Sequence, residues 1–171
     1  MAEKLVVDLH KVREQETSKI HCSYKHHPEN HGFDALLEKI SFALVCRKCE
    51  TAPCVKACPR DALEKIPVEG SDESVLRRAN MRCTGCGTCA IACPFGTIYT
   101  ELIPFPSSVC DVCRGRLGPG EKPLCAQTSD GSIDYKEIAV EGDLVEVFDD
   151  IIVNVPSGTL WQPFLREIGT S

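Results

Sequence analysis

The sequence predicts a mixed α+β fold organised around cysteine-bearing loops rather than around a large apolar core. Three observations predict it. Twelve of the 171 residues are cysteine, while aromatic residues make up only 6% and there is one tryptophan. Most of the cysteines fall in two loops of matching design, each closed by Cys-Pro and each followed by a short apolar run. Beyond residue 131 there is no further cysteine, and three β-rich runs follow, separated by turns. A chain of this length makes one or two small domains.

The second loop reads Cys83-Thr-Gly-Cys86-Gly-Thr-Cys89-Ala-Ile-Ala-Cys93-Pro94. C-x2-C-x2-C-x3-C-P is the bacterial ferredoxin spacing for a [4Fe–4S] cubane, in which three thiolates hold one cube and the fourth cysteine ligates its neighbour. Gly85 and Gly87 let the backbone wrap closely, since a Cβ would crowd the cube, and Pro94 fixes φ at the exit. A fourth ligand given away demands a second loop. Cys46-x2-Cys49-x4-Cys54-x3-Cys58-Pro59 supplies it, with two extra residues before the third cysteine. Exchange of fourth ligands assigns Cys46, Cys49, Cys54 and Cys93 to one cubane and Cys83, Cys86, Cys89 and Cys58 to the other. Folding and cluster insertion should then be coupled.

In chain order, residues 4–12 read as a strand with a β-branched centre. Cys22 stands alone before a polar stretch with His26, His27 and His31, which reads either as a zinc-binding cluster or as a polar loop with surface histidines. Residues 34–40 read as a short helix with Asp34 as N-cap, and Ile40–Val45 as extended chain leading into the first loop. Arg60–Leu63 reads as a helical turn. Leu63–Glu69 and Val75–Met81 read as a hairpin inserted between the loops, and Thr97–Ile103 as a strand. The two halves form an imperfect repeat of loop, short helix and strand. A linker, Pro104–Ser108, leads to Cys110-x2-Cys113 and then Cys125. Three cysteines fall one short of a site, so this group fits a zinc knuckle completed by a distant Cys or His, or a third cubane completed by Cys22. Ile133–Val140, Leu144–Phe148 and Ile151–Val155 read as strands, and Trp161–Ile168 as a terminal helix broken by Pro163.

Composition excludes several functions. The N-terminus lacks a basic start followed by an apolar run, the Arg77-Arg78 pair is internal, and no apolar stretch approaches the roughly 20 residues of a membrane span. Metal-bound thiols in the cytoplasm are therefore expected rather than disulfides. A net charge of −6 argues against nucleic acid as partner, which needs a basic footprint. No nucleophile–base pair, phosphate loop or nucleotide fingerprint is present, so no catalytic residue is assigned.

Residues 22–130 resemble the four-cluster ferredoxin-like subunits of molybdenum and tungsten oxidoreductases, a family that includes the iron–sulfur subunits of formate dehydrogenases, nitrate reductases and dimethyl sulfoxide reductases. Cys46–Pro59, with Ala-Pro-Cys-Val-Lys-Ala-Cys-Pro at 52–59, is similar to its second motif, and Cys83–Pro94 to its third. Cys110, Cys113 and Cys125, with Arg-x-Arg-Leu and Gly-x-x-Pro-x-Cys between them, are similar to its fourth. Two departures go together. Ser129 stands where the fourth motif ends in cysteine, and only Cys22 remains of the first. The four ligands of one family cluster are thus absent, and those of its neighbour are present. The resemblance implies a third cubane on Cys22, Cys110, Cys113 and Cys125, with zinc at that site as the alternative. Three oxidised cubanes would take the charge to about −12.

The fold so implied is a bis-[4Fe–4S] ferredoxin-like core at 46–104, with a second ferredoxin-like half carrying one cluster and a β-rich C-terminal extension. Residues 1–45 contribute Cys22, 105–130 form the third-cluster loop, and 131–171 form a docking tail. The implied function is a one-electron relay serving a larger molybdenum- or tungsten-pterin catalytic subunit, with further electron-transfer subunits also fitting. Tungsten-dependent benzoyl-CoA reductases are one candidate. A free-standing low-potential ferredoxin and a zinc-stabilised scaffold or regulatory protein are the alternatives. Arg47, Lys48, Arg60, Arg82 and Arg114 flank ligands, where they either raise local potentials or stand as solvated charges.

Overall fold

The structure is a computed structural model, describing residues 3–24, 32–70, 73–100, 103, 110–148 and 150–155. In chain order the elements are β1 (Lys4–Asp8), α1 (Leu9–Glu14), α2 (Gly32–Leu44), α3 (Pro53–Lys56), β2 (Leu63–Pro67), β3 (Ser74–Arg78), α4 (Thr88–Ala92), α5 (Leu124–Thr128), β4 (Ile133–Lys136), β5 (Leu144–Phe148) and β6 (Ile151–Asn154). They divide into two units: residues 1–33 with 111–171, and residues 34–110.

The first unit is built on a four-stranded sheet in the order β4-β1-β6-β5. β1 pairs antiparallel with β4, Val7 opposite Ile133, and parallel with β6, Leu5 opposite Ile151. The period-two pattern of β1 points Leu5 and Val7 inward, at 1% and 0% exposure. β6 buries Ile151, Ile152 and Val153 in succession, as a strand covered on both faces does. β1 stops at Asp8 because that carboxylate caps α1, with Asp8 Oδ1 accepting from the backbone N–H of His10 (3.1 Å) and Lys11 (3.2 Å). Leu9 and Val12 of α1 are buried. The strand expected over 4–12 is therefore half strand and half helix. The expected strand 133–140 ends at Lys136.

In the second unit, α2 runs through Leu44, so Ile40–Val45 is not extended, and Asp34 lies inside the first turn rather than capping it. Buried Leu36, Leu37 and Ile40 recur at helical spacing, and that period extends the helix past the short segment expected. The hairpin forms, with Leu63 opposite Arg78 and Ile66 opposite Val75. Pro59-Arg60 is a turn rather than helix, and residues 97–100 are not a strand. Leu63, Ile98, Ile103 and Cys54 form the core of the unit, with Cys58, Cys89 and Cys93 packed against it. The histidine cluster, the linker 104–108 and the segment 161–168 lie outside the described residues. Among the described residues no helix is long and apolar enough to cross a membrane.

Candidate metal centres

The first loop places Cys46 at the start of a 3-10 turn after α2 and Cys54 on α3, each 6% exposed. Burial pushes the Cys46 thiol up to about 11, against the nearby Lys65 ammonium, and Cys54, Cys49 and Cys93 raise it further. Burial likewise raises Cys54, with Cys93 and Cys49 adding to it. Cys46 and Cys54 are thus both near Cys49 and Cys93, the other two members of the first predicted set. Lys65 reaches across from β2, its ammonium donating to the Cys46 carbonyl and standing 3.9 Å from Cys46 Sγ.

The second set converges on one cavity, lined by Cys58, Cys83, Cys86 and Cys89 together with Arg60, Leu63, Arg78 and Ile103. The fourth cysteine of the first loop thus shares a cavity with the first three of the second, as ligand exchange requires. Cys86 is exposed, and hydrogen bonds from the Thr88 hydroxyl and backbone lower its thiol. Burial raises Cys89, partly opposed by the Ala90 backbone and the Arg78 charge.

The two loops repeat each other in detail. A threonine two residues after the second cysteine faces its sulfur in both, Cys49–Thr51 at 3.8 Å and Cys86–Thr88 at 3.3 Å. Four residues after the fourth cysteine, Ala62 N–H donates to Cys58 Sγ at 3.3 Å, and Thr97 lies 3.3 Å from Cys93 Sγ through its hydroxyl. Burial raises Cys93, but hydrogen bonds from Thr97, Phe95 and Gly96 outweigh it and leave the thiol lowered. The turn between is left-handed in both loops, at Asp61 and Gly96, and so is the residue before each short helix, Ala52 and Gly87. At Gly87 a Cβ would meet no protein atom within 4 Å, so among protein contacts it is the φ of +76° that calls for glycine there.

In the third group, Arg116 ties the Cys113 loop to the segment just after Cys22. Its guanidinium forks onto Asp111 (2.7 and 3.1 Å), donates to the Ser23 carbonyl (3.2 Å) and hydroxyl (3.1 Å), and stands 3.5 Å from Cys113 Sγ. It also lies 5.5 Å from the Tyr24 ring centroid. Asp111 turns the loop, accepting from Cys113 N–H at 2.9 Å, and Val112 and Cys113 both take left-handed φ. For a β-branched residue that is a strained conformation of the kind that clusters at functional sites. Burial raises the Cys22 thiol, Tyr24 N–H lowers it, and Cys113 raises it again. His21 N–H donates to Thr128 Oγ1 at 3.0 Å. Thr128 lies three residues after Cys125 on α5, so the residue before Cys22 is tied to the helix that carries Cys125. Cys110 is half-buried. Ser129, 1% exposed, is not turned toward a metal site: its hydroxyl accepts from Ile133 N–H at 3.0 Å and donates to Ile133 O at 3.2 Å, closing the turn from α5 to β4.

Of the cations that flank ligands in sequence, Arg60 lines the cavity of the second set. Arg114, beside Cys113, pairs with Asp150 at 2.5 Å, and Lys65 and Arg116 stand within 3.9 and 3.5 Å of cysteine sulfur. Lys65 follows Cys58 by seven residues and reaches the Cys46 sulfur, nineteen residues away, only through the fold. Among the described residues no group of three or more His, Cys, Asp or Glu side chains has the convergence a single metal ion needs. What fits a cluster is the facing of thiol sets with N–H and O–H donors aimed at sulfur, the outer contacts that stabilise metal-bound thiolate.

A family profile for the 4Fe-4S dicluster domain matches residues 37–136. Electron transport protein HydN of Escherichia coli is 40% identical over 102 residues, covering 50% of this chain and 55% of that protein. Chlorate reductase subunit beta of Ideonella dechloratans is 32% identical over 108 residues, 63% of this chain and 30% of that subunit. Putative oxidoreductase AegA of Escherichia coli is 36% identical over 81 residues, 43% of this chain and 11% of that protein. The chain therefore spans about half or less of the length of these relatives. No solved structure matches.

Proposed function

The chain belongs to the 4Fe-4S dicluster domain family, and from that premise we propose that it is a non-catalytic electron-transfer subunit of a larger oxidoreductase, relaying single electrons through three [4Fe–4S] clusters. The observation that carries this reading is the cavity on which Cys58 of one loop and Cys83, Cys86 and Cys89 of the other converge. Cys46, Cys49, Cys54 and Cys93 are the ligands of the second cluster, and Cys22, Cys110, Cys113 and Cys125 those of the third. When bound, the clusters supply one-electron chemistry at potentials set by hydrogen bonds, charge and exposure. The residues of this chain supply those settings: Thr88 and Thr97 set their hydroxyls 3.3 Å from sulfur, while Lys65 and Arg116 place positive charge beside it.

The partner is a molybdenum- or tungsten-pterin subunit, with a tungsten-dependent benzoyl-CoA reductase as one candidate. The names of two relatives, an electron transport protein and the beta subunit of a chlorate reductase, support a subunit role. The hydroxyl of Ser129, engaged within its own turn, supports the loss of a fourth cluster. Residues 131–171, the cytoplasmic location and docking by the C-terminal segment belong to the same proposal.

A second reading gives the third site to zinc, and one observation favours it: the matching family carries two clusters, not three. Iron, sulfide and zinc per chain, measured on protein purified without oxygen, test both readings. About twelve irons without zinc support three cubanes. About eight irons with one zinc make the third site structural. Less than about eight irons would overturn the relay.

A further inference from the structure

One wall of the cavity shared by Cys58, Cys83, Cys86 and Cys89 is Arg78, the last residue of β3. Its charge acts on the Cys89 thiol. Arg78 Nη1 also stands 3.7 Å from Glu38 Oε1 on α2, with side chains 17% and 6% exposed. That distance is an ion pair but not a hydrogen bond, and Glu38 Oε1 is buried with no hydrogen-bond partner. Three residues on and on the same face of α2, Ser41 Oγ is buried and also unpartnered. Burial drives the Glu38 carboxyl toward its protonated form, and Arg78 holds it back. Its ionisation therefore hangs on a guanidinium shared with a cluster-facing thiol. On α2, Asp34 lies one turn before Glu38 and Lys39 beside it. Among the described residues, Arg78 is the charged group from the hairpin acting on Glu38.

We propose that Glu38 and Arg78 form the charge-compensating pair of this centre, Glu38 taking up one proton for each electron the centre accepts. The inference rests on the reading that these four thiols hold a [4Fe–4S] cluster. The electron comes from a one-electron reductant, a low-potential carrier in function and dithionite with viologen mediators in the test. The proton comes from solvent and converts the Glu38 carboxylate to the acid. Added negative charge at the thiolates draws on the field of Arg78, the cation that keeps a buried carboxylate ionised, and the neutral acid becomes the cheaper state.

Uptake on reduction makes the midpoint potential fall as pH rises. At one proton per electron the slope is about 59 mV for each tenfold change in proton concentration. The test is a redox titration of the holoprotein, followed by electron paramagnetic resonance, repeated from acid to alkaline pH over the range in which the holoprotein keeps its iron. One centre is expected to show a sloping potential that becomes flat in Glu38→Gln, with iron content unchanged. Should Glu38→Gln lose iron, Glu38→Asp replaces it and is expected to keep the slope over a displaced pH window. Full iron with flat potentials in the unsubstituted protein overturns the proton coupling alone, as does a slope that survives Glu38→Gln. Iron short by one cluster, with the shortfall unchanged in Cys58→Ala, overturns the cluster reading and the coupling with it.

Discussion

Arg116 is the residue on which the proposed third centre depends most. It holds Asp111, Ser23 and Cys113 at once, so it both shapes the loop and places a cation at sulfur. Removing it withdraws a charge-assisted hydrogen bond, worth about 1.5–3 kcal/mol in general, from whichever redox state is more negative. Arg116→Ala is expected to lower the potential of the third centre in a redox titration, and Arg116→Lys to recover part of the loss. Ser129 makes the opposite case. Ser129→Ala is expected to leave iron and zinc unchanged, because the hydroxyl serves Ile133. It should lower stability by about 1–3 kcal/mol in a denaturant titration, the cost of a buried N–H left without an acceptor. The sequence alone made the first half of that expectation legible, from the absent cysteine. The second half needed the turn.

At the scale of elements, the two cysteine loops are one design written twice with different residues. Where the second loop uses Gly87 and Gly96, the first uses Ala52 and Asp61 in the same left-handed conformation. A side chain there costs about 1–2 kcal/mol, offset in part by the entropy a glycine would lose, about 0.5–1 kcal/mol. Ala52→Gly is therefore expected to stabilise the protein by less than about 1 kcal/mol. Gly87→Ala should cost about 1 kcal/mol from its left-handed φ alone, and because Gly87 lines the cavity of Cys58, Cys83, Cys86 and Cys89 it should also lower the iron count. Thermal melts with iron counts check both. β4 carries a pH-dependent contribution. Lys122 (2.7 Å) and Lys136 (3.0 Å) hold Asp134 well below the usual carboxylate range. A depressed carboxyl contributes stability above its unfolded pKa of about 3.9 and loses it as pH falls toward the folded value. Because the pair is partly exposed, Asp134→Asn should cost no more than about 1 kcal/mol at neutral pH, and nothing once both carboxyl states are protonated. The repeat itself was visible in the cysteine spacing. The end of β1 was not, because its apolar residues continue into α1 and only the Asp8 cap separates strand from helix.

For the whole molecule, the decisive feature is that β1, at the start of the chain, lies between β4 and β6. Residues 131–155 are thus built into the sheet that holds the N-terminal strand, rather than trailing from the last cysteine. A chain ending at 130 leaves β1 with neither neighbour. It is expected to lose the first unit and with it the third centre, while residues 34–110 retain about eight irons. Cys22→Ala in the full chain should give the same iron count with the fold intact. Comparing the two by iron analysis and circular dichroism separates loss of a ligand from loss of the sheet.

By itself, the sequence determined the two repeated cysteine loops, the hairpin between them and the β-rich character of the C-terminal segment. Spacing of a few residues fixes which thiols can reach one cluster, and period-two runs fix strands locally. Only the tertiary structure decided that Lys65 and Arg116 approach cysteine sulfur, that Glu38 is buried against Arg78, and that β1 joins strands more than a hundred residues away. Those outcomes depend on burial and on pairing between distant segments, which no local pattern of residues encodes.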